Sequence, residues 1–180
     1  MNEQGESRNP FVFATVGTDH HPFSRLVEAV DDWAARSNVP VFIQSGSSHP
    51  PRFSAFSPLL PFSEMNRLLM SAAGIVSHGG PATIVQIRAA GKVPIVMPRD
   101  PALGEHVDDH QIRFARHLAA RGEIVLAETI TDLRTALDRL VSDPESFRLT
   151  PNSGESHRAV ANFERLILQT IRRRRRVFSR

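Results

Sequence analysis

Apolar residues recur along this chain in two alternating patterns, short dense runs and longer stretches with helical spacing. The first run, Phe11–Val16 (FVFATV), predicts a buried strand closed by the turn Gly17-Thr18-Asp19. Pro22 then opens an amphipathic helix to about Arg36, with Phe23, Leu26, Val27, Val30 and Trp33 on one face. Val39–Gln44 predicts a second strand, followed by Ser45-Gly46-Ser47-Ser48. Residues 49–61 contain Pro50, Pro51, Pro58 and Pro61, which leaves room for at most a short strand near Phe53–Phe56. Ser63–Ala73 reads as a helix with Ser63 as its N-cap. Gly74–Ser77 is a strand, His78-Gly79-Gly80 a glycine turn, and Pro81–Ala90 a helix with Gly91 just past its end. The pattern continues with a strand at Pro94–Met97, a loop at Arg99–Val107, a helix at Asp108–Arg121, a strand at Glu123–Ala127 and a threonine-capped helix at Thr131–Val141. After a loop at Asp143–Ser153, an amphipathic segment runs from Ser156 to about Arg176.

Strands alternating with helices imply parallel βαβ units, hence an α/β protein with a Rossmann-like, doubly wound parallel sheet. The expected organisation is a disordered N-terminus at 1–10, one α/β domain at 11–153, and a C-terminal amphipathic helix with a basic tail at 154–180.

Composition narrows the function classes. With 41% hydrophobic and 23% charged residues among 180, the chain is globular. No run of about 18–20 apolar residues is present for a membrane span, and the polar start MNEQGESRNP carries no apolar signal segment. The absence of cysteine excludes a disulfide framework, a thiolate metal site and a cysteine nucleophile. A cytoplasmic protein is expected. Six of the 22 basic residues fall in 172–180 (RRRRRVFSR), so the rest of the chain has more acidic residues, 19, than basic ones. The net charge of +3 is therefore a property of the tail, and no nucleic-acid partner is expected.

In an open parallel sheet, ligands bind at the carboxyl ends of the strands. The polar and glycine-rich turns lie there: Gly17-Thr18-Asp19, Ser45-Gly46, Ser77-His78-Gly79-Gly80, and Arg99 onward. In SHGGPATI, two glycines permit close approach and a helix follows at once, so its free N–H groups and dipole suit a phosphate or pyrophosphate. The same glycines also suit a tight strand-to-helix turn with no ligand. His106 and His110 are spaced i,i+4 with Asp108 and Asp109 between, which resembles metal-ligand spacing. The third ligand is not evident, and no metal is expected. Asp-His-Gln opening a helix instead suits sugar hydroxyls, or simple capping. His20 and His21 follow the first turn and face the same edge. His20 is the candidate general base, although loop histidines also occur as plain structural or solvated residues.

Taken together, ATVGT at residues 14–18, HGGPATI at 78–84, AAGKVPIVMPR at 89–99 and EHVDDHQ at 105–111 resemble the C-terminal, donor-binding half of GT-B glycosyltransferases. The likeness is to glycosyltransferase family 28, and it runs from about Phe11 to Ala127. The chain is similar to short bacterial exopolysaccharide transferase subunits and to the soluble subunit of the two-part dolichol-pathway N-acetylglucosaminyltransferase. The resemblance implies that Gly17 and Thr18 lie near the donor pyrophosphate and that the backbone at Pro61-Phe62 reads the uracil edge. It implies that His78, Gly79, Gly80, Ala82 and Thr83 hold the diphosphate. Gln86 matches a position where several relatives carry a ribose-binding glutamate, so an uncharged amide stands there. Asp109, His110 and Gln111 match contacts to the donor sugar.

The expected function is that of the donor-binding catalytic subunit of a bipartite, inverting hexosyltransferase. Its co-substrate is a UDP-sugar, no cofactor is involved, and the acceptor is a polyprenyl-linked glycan in polysaccharide biosynthesis. Only ten residues precede the first strand, so a membrane-anchored partner is expected to carry the acceptor site. The arginine tail could touch an anionic membrane surface, and the expected location is peripheral at the inner face of the cell membrane. The rival readings are a non-catalytic subunit that supports a partner transferase, and a UDP-sugar-sensing module.

Overall fold

A computed structural model describes residues 10–149. Residues 1–9 of the expected N-terminal segment 1–10, and the C-terminal segment 154–180 with its expected helix and arginine tail, lie outside the described residues. The first apolar run becomes β1, Val12–Thr15. Its alternating side chains enter two different cores: Val12 and Ala14 face one side, Phe13 the other. The helix expected from Pro22 begins at Ser24, with Phe23 in the capping position, and runs to Ser37 as α1. Phe23 is not a polar cap. Its amide instead donates to the Ser48 hydroxyl at 2.8 Å, and its ring is fully buried.

The remaining elements are β2 Val41–Gln44, β3 Ala55–Ser57, α2 Phe62–Ser71, β4 Gly74–Ser77, α3 Pro81–Ala89, β5 Ile95–Val96, α4 His110–Ala120, β6 Val125–Leu126 and α5 Ile130–Ser142. All six strands are parallel, in the order β3-β2-β1-β4-β5-β6. Helices α1 and α5 cover one face, where Leu26, Val30, Leu133 and Leu137 meet Ala14, Val76 and Ile95. Helices α2, α3 and α4 cover the other. Leu68 and Leu69 pack on Phe13 and Ile75, while Ile84, Ala115 and Leu118 pack on Val96. The doubly wound α/β sheet expected from sequence is the observed fold.

Three further helix starts differ from expectation. The cap of α5 is Thr129, not Thr131. Its hydroxyl accepts from the Asp132 amide at 3.1 Å, while Asp132 accepts from the Thr129 amide at 2.9 Å, a reciprocal capping box. Pro61, not Ser63, precedes α2. The fourth helix starts at His110 rather than Asp108, because the Asp108 carboxylate accepts the His110 amide at 3.0 Å and so holds a turn instead.

Buried polar side chains fasten the connections. Lys92 extends its ammonium to the Leu69 and Met70 carbonyls at 2.6 and 2.9 Å, closing the end of α2, and burial lowers its pKa. Asp31 on α1 accepts from the amides of Arg52, Phe53 and Ser54 and holds the proline-rich loop. Burial opposes its charge, but these donors outweigh that effect and keep the carboxyl below its ordinary range. Asp31→Ala is expected to lower stability at neutral pH by about 2 kcal/mol. The loss should shrink as pH falls below the ordinary carboxylate value, where the unfolded chain takes up a proton that native Asp31 resists. Urea denaturation at pH 7 and pH 3 checks both parts.

Candidate functional site

The direction of the sheet's growth reverses between β1 and β4. From β1 the chain proceeds outward through β2 and β3, then restarts on the other side with β4, β5 and β6. This is the strand order of dinucleotide-binding sheets, and ligands enter the crevice at the carboxyl ends beside the reversal. Val16-Gly17 after β1 and His78-Gly79-Gly80 after β4 form that point here.

Gly17 has φ +77°, and a Cβ there would lie 2.5 Å from His78 Cε1. Both facts require glycine. Gln44, at the end of β2, secures the turn on both sides. Its Oε1 accepts from the Thr15 hydroxyl at 2.6 Å and the Gly17 amide at 3.1 Å, while its Nε2 donates to the Gly17 and Pro58 carbonyls at 3.0 and 2.7 Å. Sequence reading treats Gln44 only as the end of a strand. A glutamine among apolar residues at a strand's carboxyl end is the signal that identifies it.

The imidazole of His78 lies between Gly17 and Gly80, either of which would collide with it if it carried a side chain. His78 is 7% exposed, and its Nδ1 has no hydrogen-bond partner among the described residues. Burial, reinforced by the Arg99 charge, pulls its pKa down to about 4, so the ring is neutral at pH 7. Gly79 is needed for a different approach, since a Cβ would stand 2.9 Å from the Cβ of Gln111. Gln111, expected to face the donor sugar, is thus buried against Gly79, with its Oε1 3.4 Å from the Arg99 amide.

Helix α3 starts immediately after this turn, with Gly80 as N-cap and no side chain capping it. Its first amides, Ala82 and Thr83, have no acceptor within the helix. Ala82 is exposed, while Thr83 and Gln86 are half-buried. Thr18 is exposed on the opposite loop. Phe62, the first residue of α2, is 70% exposed.

Arg99, expected at the ligand edge, is fully buried and serves as a clamp. Its guanidinium donates to the carbonyls of Val16 (2.9 Å), His21 (2.7 Å) and Glu105 (3.0 Å), and stacks 4.9 Å from the Phe23 ring centroid. Glu105 pairs with Arg25 through both carboxylate oxygens, at 2.9 and 2.8 Å, and accepts from the Asp100 amide. The loop after β1 and the loop before α4 are thereby fixed to each other.

These joined loops gather four histidines at the rim. His21 Nδ1 lies 2.6 Å from Asp19, which also accepts the His21 amide at 2.8 Å. Burial opposes the Asp19 charge, but the His21 hydrogen bonds and the Arg99 charge prevail and hold the carboxyl at about 2. His20, the candidate base, is more open: 85% of its side chain is exposed, with Nδ1 3.8 Å from Asp19. The ring centroids of His21 and His106 are 6.0 Å apart, and those of His106 and His110 are 4.7 Å apart. Asp109 precedes α4 and pairs with Arg113 at 3.1 Å. The structure thus joins Gly17, His78, Gly79, Gly80 and Gln111 by direct packing and His20, His106 and His110 along the rim. Among the described residues, the side chains of Thr18, Thr83 and Gln86 make no hydrogen bonds.

A glycine-lined reversal point beside an uncapped helix is a feature of Rossmann-like sheets. The glycosyltransferase family 28 C-terminal domain model matches residues 11–170. The chain belongs to that family. Solved structures of the same fold include MurG of Acinetobacter baumannii, with TM-score 0.54 and 20% identity over 89% of this chain and 51% of that one. CalG4, the calicheamicin glycosyltransferase, gives 0.57 and 17% over 91% and 44%. The spinosyn forosaminyltransferase SpnP gives 0.55 and 24% over 86% and 40%. The chain spans about half or less of the length of these proteins. No curated protein sequence matches it. Among the described residues, no helix is long and apolar enough to cross a membrane.

Proposed function

We propose that this chain is the donor-binding catalytic subunit of a bipartite, inverting glycosyltransferase that moves a hexose from a UDP-sugar to a lipid-linked glycan. The observation that carries the reading is the uncapped start of α3 beside a buried, neutral His78 whose Nδ1 lacks a partner. A departing nucleoside diphosphate gathers negative charge as the glycosidic bond breaks. Fixed amides and the positive end of a helix stabilise that charge without a bound metal. Gln86 takes the ribose hydroxyls, the Pro61-Phe62 backbone takes the uracil, and Asp109 and His110 take the donor sugar. Gln111 holds Gly79 and Arg99 in place beneath them.

His20 is the base. Its open ring can reach an acceptor hydroxyl, and the Asp19 carboxylate stabilises the imidazolium that forms. The acceptor and the membrane anchor belong to a partner subunit. Phe53, Phe56 and Leu59, exposed on and around the edge strand β3, suit such a contact. The arginines of 172–180 suit an anionic bilayer, at about 1 kcal/mol each near the surface.

UDP at about 100 times its Kd should stabilise the full chain by about 2.7 kcal/mol, a rise in Tm of about 5–10 °C. Gly79→Asp is a poor control, because its side chain would collide with Gln111. Thr83→Glu is better, since a carboxylate in the first turn of a helix favours folding yet repels a diphosphate. The variant should keep its basal Tm and lose the UDP shift. No UDP shift in the wild-type chain, with or without a co-expressed membrane partner, would sink the reading. A donor site that binds UDP but supports no sugar transfer with the partner would reduce the chain to a non-catalytic subunit.

A further inference from the structure

We infer that the rim binds one divalent transition metal of the zinc class through His106, Asp108 and His110. The ligand atoms of these three residues all lie within 4.8 Å of one another. His106 Nδ1 is 3.8 Å from the Asp108 carboxylate, and His110 Nδ1 lies against the same oxygen. Two imidazoles and one carboxylate form a zinc ligand set that leaves a fourth position for water.

A second observation comes from the far side of the His106 ring. Once Nδ1 binds the metal, Nε2 must carry the proton, and ligating histidines almost always give that N–H to a carboxylate or carbonyl. Asp19 Oδ2 stands 3.9 Å from Nε2, from a different loop, with its position set by the His21 amide. Only 11% of the His106 side chain is exposed, so the ring is held between the two aspartates rather than free in solvent. The Arg99 clamp makes the arrangement durable, since one guanidinium nitrogen binds both the His21 carbonyl and the carbonyl of Glu105, the residue before His106. The residue missing from the linear spacing of His106 and His110 is therefore Asp108, supported by an orienting carboxylate 87 residues away from His106 in sequence. His110 faces this ion through Nδ1 and keeps its Nε2–H for the donor sugar, so the transfer chemistry described above does not run through the ion. The nearby triad Asp19, His20 and His21 is the competing location. The two carboxylates are engaged alike, each by the amide and ring of the histidine two residues on. What separates the sites is the remaining ligand, since His20 is almost wholly solvated and His106 is not.

The test uses the untagged full chain, stripped with chelator, and titrated with Zn2+ by calorimetry and with Co2+ by visible absorption. The expected result is one saturable site per chain, with cobalt bands of four- or five-coordinate geometry. His110→Ala should weaken binding at least ten-fold. Asp19→Asn should weaken it about ten-fold through the lost orienting contact. His20→Ala and the remote His49→Ala should leave it unchanged. Unaltered urea midpoints for the three histidine variants show that folding is not the cause, and Asp19→Asn, which loses a stabilised charge, is titrated at a temperature where its circular dichroism matches that of the wild-type chain. Absence of saturable binding in the wild-type chain overturns the proposal. So does binding that survives His110→Ala and disappears with His20→Ala, which would put the ion in the other triad.

Discussion

Replacing Arg99 by methionine should cost the protein about 3–5 kcal/mol, the largest loss expected from any single substitution near the site. The guanidinium is wholly buried and donates to the carbonyls of Val16, His21 and Glu105, with that of Pro22 at 3.5 Å. Burial lowers its pKa, while the charges of Asp19 and Glu105 raise it, so the cation persists at neutral pH. Methionine would fill much of the volume but leave Val16, His21 and Glu105 with unsatisfied carbonyls and Asp19 without a nearby cation. Arg99→Lys should recover less than half of the loss, because one ammonium cannot span the Val16 carbonyl on one side and the Glu105 carbonyl on the other. With a domain stability of about 5–15 kcal/mol, the methionine variant should still fold in part at low temperature. The measurement is the urea midpoint at unchanged slope. A cost below about 1 kcal/mol for Arg99→Met would mean that the two loops are held by other contacts.

Arg99 also shows where sequence reading stops. The strand-helix alternation was legible because Val12, Phe13, Ala14 and their counterparts in β2 and β4 are apolar on both faces, as a sheet covered on two sides demands. The two-residue strands β5 and β6 were legible as longer runs, whose flanking residues still bond across the sheet: the Met97 amide donates to the Ser77 carbonyl at 3.0 Å, and the Val125 and Ala127 amides donate to the Pro94 and Val96 carbonyls at 2.9 Å. The glycine turn after β4 was legible as a place of close approach. The groups that approach it most closely, His78 and Gln111, are the protein's own side chains. An arginine following Met-Pro at a strand's end reads as a ligand contact, and nothing in one dimension reveals that its partners are residues 16, 21 and 105. The same holds for Asp19 and His106, which meet only after the sheet has brought β1 and β5 to the same edge. Periodicity reports which face is buried; it does not report which loops touch.

Stability should fall by on the order of 3 kcal/mol as pH drops from about 6.5 to about 4, with His78 as the cause. In the unfolded chain this histidine titrates at its ordinary 6.5, whereas burial and the Arg99 charge hold it near 4 in the native state. Between those values the unfolded state binds a proton that the native state refuses, so stability rises with pH across the window and is fully present above 6.5. The gap of about 2.5 pH units corresponds to about 1.36 kcal/mol per unit. Asp19, held at about 2, contributes its own acid loss only below the ordinary carboxylate pKa of 3.8, so the two effects occupy separate pH ranges. The comparison that isolates His78 is the stability of wild type and His78→Gln at pH 5 and pH 7. Glutamine does not titrate, and the variant should lose clearly less stability than wild type between those two values. Proton NMR of the His78 Cε1–H gives the direct reading, with no titration of that signal until pH approaches 4. UDP should then raise the His78 pKa, because a diphosphate beside the ring favours the imidazolium. A His78 signal that titrates near 6.5 in the free protein would show that the ring is neither as buried nor as close to Arg99 as described. The neutral hydrogen-bonding group assigned to the diphosphate pocket would then be lost with it.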